Sequence, residues 1–437
     1  MKRLVFNQLT EWKNKAKRKP LVVTGARQCG KTYAIKEFGT QEFENLAYFN
    51  FEGNEALKSI FDYDLNVKRI IEELVIYSSQ KIEAGKTLLF FDEIQACPKA
   101  ITSLKYFCED MPGLHVIAAG SLLGVVIRQE EISFPVGKVE RLQMYPMSFE
   151  EFVTASENGE SLLKAARANN LQEPLRAVFA ESLEKLLRYY YIVGGMPEAV
   201  ATFYETKNLD SVSQVLANIL QDYSDDFSKH APTTNIPKLQ LIWDSVPKQL
   251  AKDNNKFVFS HVKAGKRAAD LEDALQWLFN AGLLHKLECV TNAELPLSNN
   301  AEGSCFKVYM NDVGLLRLKS GLDAQTILND TPLYATFKGA LTENFIHNEL
   351  VKQGFHPYFW KSCNTAELDF LLEIKNKLYP IEVKAEKHTK AKSYSQFCQK
   401  YSPKKGLKLS MKNIGVTDVH GTETLQLPLY LSFRIRG

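Results

Sequence analysis

No uninterrupted apolar stretch in the 437-residue chain reaches the roughly 18 residues that a membrane-spanning helix needs. The longest candidate, Val116 to Ile127, is broken by Gly120, Ser121 and Gly124. The first residues, Met1-Lys2-Arg3-Leu4-Val5-Phe6-Asn7, lack the apolar core of a secretory signal, so the expected location is the cytoplasm, with no membrane partner. The seven cysteines are an odd count and include no Cys-x-x-Cys pair, which argues against a disulfide framework and a zinc ribbon. Charge of one sign is also scarce, with 54 basic residues against 51 acidic ones and a net charge of +3. There is no internal repeat, no low-complexity segment and no Asn-Lys-x-Asp guanine-reading motif. What is present, 45% hydrophobic and 24% charged residues, is ordinary for a folded protein of roughly three domains.

Residues 1–155 alternate short apolar runs with helical stretches, the pattern of an α/β sheet. The expected strands are Leu21–Val23, Leu46–Phe49, Leu88–Phe91, Val116–Ala119 and Arg141–Met144. The first, third and fourth are continuous apolar runs, as expected for strands buried on both faces. Residues 156–235 read as helical, with Gly194-Gly195-Met196-Pro197 separating two helices. Residues 236–320 contain the order of a winged helix: strand Phe257–Phe259, helix Asp270–Phe279, then the strand pair Leu283–Val290 and Phe306–Met310. In that helix Leu271, Ala274, Leu275 and Leu278 share an apolar, core-facing stripe. Residues 321–437 return to α/β character, with a hairpin over Leu368–Val383.

The segment Gly25-Ala26-Arg27-Gln28-Cys29-Gly30-Lys31-Thr32 fits G-x-x-x-x-G-K-[ST] in full, directly after an apolar strand. A strand that ends in glycines and restarts as a helix turns a nest of N–H groups and a helix N-terminus toward a triphosphate. The candidate cradle runs through these eight residues into Tyr33. Lys31 is placed to reach the β- and γ-phosphates and Thr32 to ligate Mg²⁺. Some sixty residues on, Leu88-Leu89-Phe90-Phe91-Asp92-Glu93 is an apolar strand closed by two acids. Asp92 suits the Mg²⁺-holding role, and Glu93 the general base that polarises the attacking water. Ser121, at the end of the strand His115–Ala119, is a candidate sensor of the γ-phosphate. Cys29 reads as a small filler.

Together with Ala119-Gly120-Ser121, Tyr145-Pro146-Met147-Ser148-Phe149-Glu150-Glu151-Phe152, Tyr190–Pro197, Asp225–Ala231 and Asp312–Leu316, these motifs make nearly the whole chain resemble predicted bacterial and archaeal AAA-type ATPases. That family carries a C-terminal domain of unknown function with a nuclease-like core. The resemblance implies a P-loop parallel sheet binding ATP and Mg²⁺ and hydrolysing ATP, in a core able to act as a homo-oligomer. It also implies a basic residue reaching a neighbour's site. Where family members have arginine after the glycine of Pro135-Val136-Gly137-Lys138, this chain has Lys138, with Arg128 and Arg141 as alternatives. Lysine offers a point charge without the planar fork of arginine.

In the last region Glu382 and Lys384 are two apart on a strand and so share a face, which Asp369 on the preceding strand can also meet. Two carboxylates can share a metal, with the lysine steadying a water or phosphorane charge. This arrangement resembles the PD-(D/E)XK nucleases, and Glu343 matches the glutamate those proteins carry on an earlier helix. Catalytic roles for Glu382 and Lys384, and metal ligation by Glu343, Asp369 and Glu382, are what that resemblance implies. Nine lysines against one acid between Lys384 and Lys412 offer a surface for DNA or RNA backbone. Lys263, Lys266 and Arg267 precede the winged-helix segment's helix, whose own start, Asp270, Glu272 and Asp273, is acidic. Two functions stand: an ATPase acting on nucleic acid, and a nucleotide-gated interaction or defence module whose nuclease-like part is an inactive scaffold.

Overall fold

A computed structural model describes residues 2–126, 133–252, 255–362, 366–386 and 391–435. The chain divides into two compact units. One comprises residues 1–146 with 280–283, and the other comprises 147–279 with 284–437.

The first unit is built on a parallel five-stranded sheet: β1 (Leu21–Thr24), β2 (Asn45–Asn50), β3 (Thr87–Asp92), β4 (His115–Ala119) and β5 (Glu140–Gln143), in the order β2-β3-β4-β1-β5. All five expected strands are there. β3 and β4 are buried along their whole length, and their continuous apolar side chains feed cores on both faces of the sheet. β5 alternates half-buried with exposed residues because it is an edge strand. The position of β1 between β4 and β5 brings its C-terminal end beside theirs.

In the second unit the expected helical region is present as Gly159–Ala168, Ala177–Val193, Pro197–Thr206, Leu209–His230 and Ile236–Leu250. The Gly-Gly turn separates the second and third of these, and its geometry explains the glycines. Gly194 has φ +72°, and a Cβ there would collide with the carboxylate of Asp312. That carboxylate accepts from the Gly195 N–H at 2.6 Å and the Leu315 N–H at 3.0 Å, capping the helix Val313–Lys319. Two segments far apart in sequence therefore meet on one buried acid.

Among the described residues, the second unit's sheet has eight strands: β6 (Leu284–Val290), β7 (Ala301–Met310), β8 (Tyr358–Lys361), β9 (Glu367–Ile374), β10 (Lys377–Val383), β11 (Lys405–Ser410), β12 (Gly415–Val419) and β13 (Thr422–Pro428). Their order is β12-β13-β11-β10-β9-β8-β6-β7. The expected β9–β10 hairpin turns through Lys375 and Asn376, both at positive φ, the two-residue turn whose twist suits antiparallel strands.

The expected winged helix is not established, though its helix and strand pair are present. Helix Ala268–Asn280 buries Leu271, Ala274, Leu275 and Leu278 as expected. Phe257–Phe259 is not a strand: only Lys256 makes a bridge, to Lys307, and the chain then enters the short helix Phe259–Val262. The strand pair β6–β7 is not a free-standing wing, because β6 pairs in parallel with β8 and so joins the large sheet.

Candidate functional site

The loop after β1 is curled as its glycines require. A Cβ on Gly25 (φ +152°) would strike the Met144 carbonyl, and Gly30 turns left-handed (φ +91°) immediately before helix Lys31–Glu42. Lys31, only 5% exposed, donates to the carbonyls of Gly25 and Ala26, each at 2.9 Å, so its ammonium closes the loop on itself. The Thr32 hydroxyl donates to Asp92 Oδ2 at 2.8 Å, joining the loop to the acidic end of β3. Burial pushes the Asp92 carboxyl above its ordinary range, and the Thr32 hydrogen bond works against that shift. A buried acid at the mouth of a phosphate cradle, beside the loop's threonine hydroxyl, fits a divalent cation, which would relieve the same burial cost.

Glu93 follows at positive φ (+47°), and its N–H donates to Asp92 Oδ1. Its Oε2 accepts from the Ser121 N–H at 3.4 Å, from the Ser121 hydroxyl at 3.3 Å and from the Gln95 amide. The structure therefore brings Lys31, Thr32, Asp92, Glu93 and Ser121 together at the ends of adjacent strands. Ala26, Arg27, Gln28 and Cys29 form the loop, and Tyr33 stands exposed on the helix. Cys29 is fully buried, with its thiol 3.8 Å from the Met144 carbonyl, in keeping with a filler role.

The basic residues expected to act in trans lie elsewhere. Lys138 pairs with Glu109 at 2.8 Å on the exposed surface, and the Arg141 guanidinium covers the Phe134 ring at 4.5 Å. Arg128 lies outside the described residues.

Three supporting residues carried no sequence signal. Tyr48, from β2, donates to Asp92 Oδ2 at 3.1 Å; burial, with Asp92 alongside, pushes its own phenol up. Gly282 approaches the Ala26 N–H so closely that a Cβ would lie 3.3 Å away. Arg3 is buried and donates to the carbonyls of Cys29 at 3.0 Å and Tyr145 at 2.8 Å, bracing the loop from beneath. Arg3→Ala leaves those carbonyls without their donor. It is expected to lower stability by about 1–3 kcal/mol and to weaken nucleotide binding, as read by urea unfolding and ATP titration.

In the second unit, Lys384 donates to Glu382 Oε1 at 2.8 Å and lies 4.0 Å from Asp369 Oδ2, while Asp369 accepts from the Val383 N–H at 2.7 Å. Glu382 is buried, and its Oε2 has no hydrogen-bond partner among the described residues. Glu343, on helix Pro332–Lys352, belongs to the same electrostatic cluster, but its Oε2 is taken by Asn255 at 2.7 Å, Tyr309 at 3.0 Å and Lys307 at 3.4 Å. Lys307 also pairs with Glu367 at 2.8 Å. The expected metal set of Glu343, Asp369 and Glu382 is thus close in space, but Glu343 faces an internal ammonium. Among the described residues no three His, Cys or acidic side chains are arranged to hold a metal ion.

Burial, then the charges of Glu382 and Glu343, raise the Asp369 carboxyl well above its ordinary range; burial also raises Glu382, against Lys384. The folded protein therefore holds protons that the unfolded chain has released above about pH 4, and stability falls as pH rises from there toward the native values. Asp369→Asn keeps an acceptor for the Val383 N–H but removes one such proton. Urea midpoints measured between about pH 4 and pH 7 are expected to fall less steeply in this variant.

Of the expected basic surface, the described lysines include several with neighbours of their own. Lys400 lies over the Tyr401 ring at 4.7 Å, Lys408 over the Tyr394 ring at 4.9 Å, and Lys405 pairs with Glu423 at 3.7 Å. Lys387 and Lys390 lie outside the described residues.

A parallel sheet with a phosphate loop after an interior strand, and an acid-tipped strand reaching the loop's threonine, defines a P-loop nucleotide-binding domain. Residues 17–153 match the family described as AAA domain, so the N-terminal unit is an AAA-type P-loop ATPase domain. Residues 184–326 and 338–430 match two domains of unknown function, DUF8612 and DUF4143. No curated protein matches the chain. Among solved structures, the chain is similar to a Walker-type ATPase of Pyrococcus abyssi, at 14% identity, covering 72% of this chain and 94% of that one, with a TM-score of 0.43. It is also similar to the Aeropyrum pernix ORC1 protein in complex with DNA (13% identity, 77% and 94% covered, TM-score 0.29). A third is the Thermotoga maritima RuvB Holliday junction branch migration motor (17%, 67% and 89%, TM-score 0.26). Overlaps at these scores add nothing to the assignment.

Proposed function

We propose that this chain is a Mg²⁺-dependent ATPase that acts on nucleic acid. The observation that carries the ATPase reading is the 2.8 Å contact between the Thr32 hydroxyl and Asp92, made at the mouth of a glycine-curled loop whose lysine is already turned inward. When bound, Mg²⁺ and ATP supply an electrophilic γ-phosphorus. Lys31 would exchange the Gly25 and Ala26 carbonyls for phosphate oxygens, and Thr32 and Asp92 would hold the cation. Glu93, released from Ser121, would accept the proton of the attacking water, leaving the Ser121 hydroxyl to the γ-phosphate. Lys138, Arg128 or Arg141 is the proposed contribution from a second copy of the chain.

In the C-terminal region, Asp369, Glu382 and Lys384 form the proposed phosphodiester-handling site of a nuclease-like domain, with the winged-helix segment and the lysine-rich stretch as backbone-binding surfaces. The Glu382 Oε2 atom, buried without a hydrogen-bond partner among the described residues, is an acceptor that a divalent cation would satisfy. A second reading, a nucleotide-gated module with an inactive nuclease-like scaffold, is favoured by the capture of Glu343 by Lys307. One set of assays separates these readings. Wild type is expected to hydrolyse ATP, Lys31→Ala to lose ATP binding, and added DNA or RNA to raise turnover. If neither polymer changes turnover or is cut in Mn²⁺, the nucleic-acid reading fails and the gated scaffold stands.

A further inference from the structure

Although no cysteine pair is close in sequence, Cys289 on β6 and Cys305 on β7 meet across the strand pair. The register between these strands shifts just after Glu288, which pairs with Phe306, so that Cys289 pairs with Glu302 and residues 303–305 bulge out. Cys289 follows Glu288 and Cys305 precedes Phe306, so the two cysteines flank the same cross-strand pair and their side chains act on each other. Cys289 is fully buried, whereas Cys305 is half-buried and open to small solutes. The ammonium groups of Lys256 and Lys361, from two neighbouring segments, act on Cys305. Neighbouring Cys289 and then those two cations, acting against burial, lower the Cys305 thiol below its ordinary range. A half-buried, cation-flanked thiol backed by a fully buried one is the arrangement of a redox pair, not of two inert core cysteines.

We propose that Cys289 and Cys305 form a dithiol that hydroperoxides close to a disulfide across the β6–β7 pair. The Cys305 thiolate attacks one oxygen of hydrogen peroxide, breaking the O–O bond to give a sulfenic acid and hydroxide. The Cys289 sulfur then attacks the Cys305 sulfur, forming the S–S bond as the sulfenic oxygen leaves with the Cys289 proton as water. Overall two thiols and one peroxide become one disulfide and two waters; sulfur is oxidised by two electrons and peroxide is reduced by two. The pair needs no nucleotide and no metal, so it stands apart from the ATPase reading.

The test uses the full chain and hydrogen peroxide. A protease that cleaves after glutamate cuts at Glu294 and Glu302, between the two cysteines, so the disulfide joins two separate peptides. After peroxide, mass spectrometry is expected to find the Cys289 and Cys305 peptides joined, and reduction to part them. Before oxidation, iodoacetamide at pH 7 is expected to label Cys305 at least about tenfold faster than buried Cys398. Cys289→Ser is expected to leave a Cys305 sulfenic acid that dimedone captures. Failure of the two peptides to join in the wild-type protein, or joining of Cys305 to any other cysteine, overturns the proposal; the wild-type map decides the matter even if a serine variant fails to fold.

Discussion

Glu93→Gln is expected to bind ATP as tightly as wild type and to hydrolyse it about 10²–10⁴-fold more slowly, the span typical of losing a positioned general base. The size of the effect follows from how little else the substitution changes. Glutamine keeps the length of the side chain and an oxygen that can still accept from the Ser121 hydroxyl and N–H, the contacts made by Glu93 Oε2. It leaves Asp92 and Thr32 in contact, so the groups that hold phosphates and cation are intact. What it removes is the capacity to take a proton. Single-turnover hydrolysis measured beside equilibrium nucleotide binding separates the two effects. Wild-type rates in Glu93→Gln would move the base to another residue; lost binding would mean that Glu93 shapes the loop.

The second large effect is on stability. Lys307→Ala is expected to cost about 3 kcal/mol, the low end for a broken buried pair, because the ammonium is buried while the Glu343 and Glu367 carboxylates it leaves behind are only partly so. Lys307 is 1% exposed, and it pairs with Glu367 at 2.8 Å and Glu343 at 3.4 Å. Tyr309 and Asn255 can still donate to Glu343, and Lys256 remains 3.6 Å from Glu367, but those partners do not restore the missing charge. The attached packing loss is smaller and can be separated. Lys307→Met in combination with Glu343→Gln removes the cation and one anion together while keeping the volume, and is expected to recover a large part of the loss. Urea unfolding of the single and double variants gives the comparison. An equal cost in both would assign the effect to shape instead of charge.

These two residues also mark how far the sequence could be read. Glu93 was legible because its role is written locally. An apolar run of β-strand length ends in acids, and the phosphate loop upstream gives those acids something to act on. The five strands of the first sheet were legible for the same reason, since strands buried on both faces must be apolar throughout. Glu382 and Lys384 were legible from their spacing of two, and the β9–β10 hairpin from its turn.

Lys307 was not legible. It is one lysine among many, and only the pairing of β6 with β8 carries its strand into the sheet that holds Glu367 and Asp369. The strand pair expected to stand alone as a wing has the same cause. Arg3 reaches the phosphate loop at Cys29 across 26 residues of sequence, and Tyr48 reaches Asp92 at the end of β3 across 44, and no local pattern encodes such contacts.

By itself, then, the sequence determined the nucleotide cradle, its acidic partners and the hairpin with its Glu-x-Lys pair, because each depends on backbone periodicity and on side chains a few residues apart. Only the tertiary structure decided which charges neutralise which. Buried acids draw their partners from whatever strands the sheet order brings alongside, and that order is set by the summed burial of the whole core.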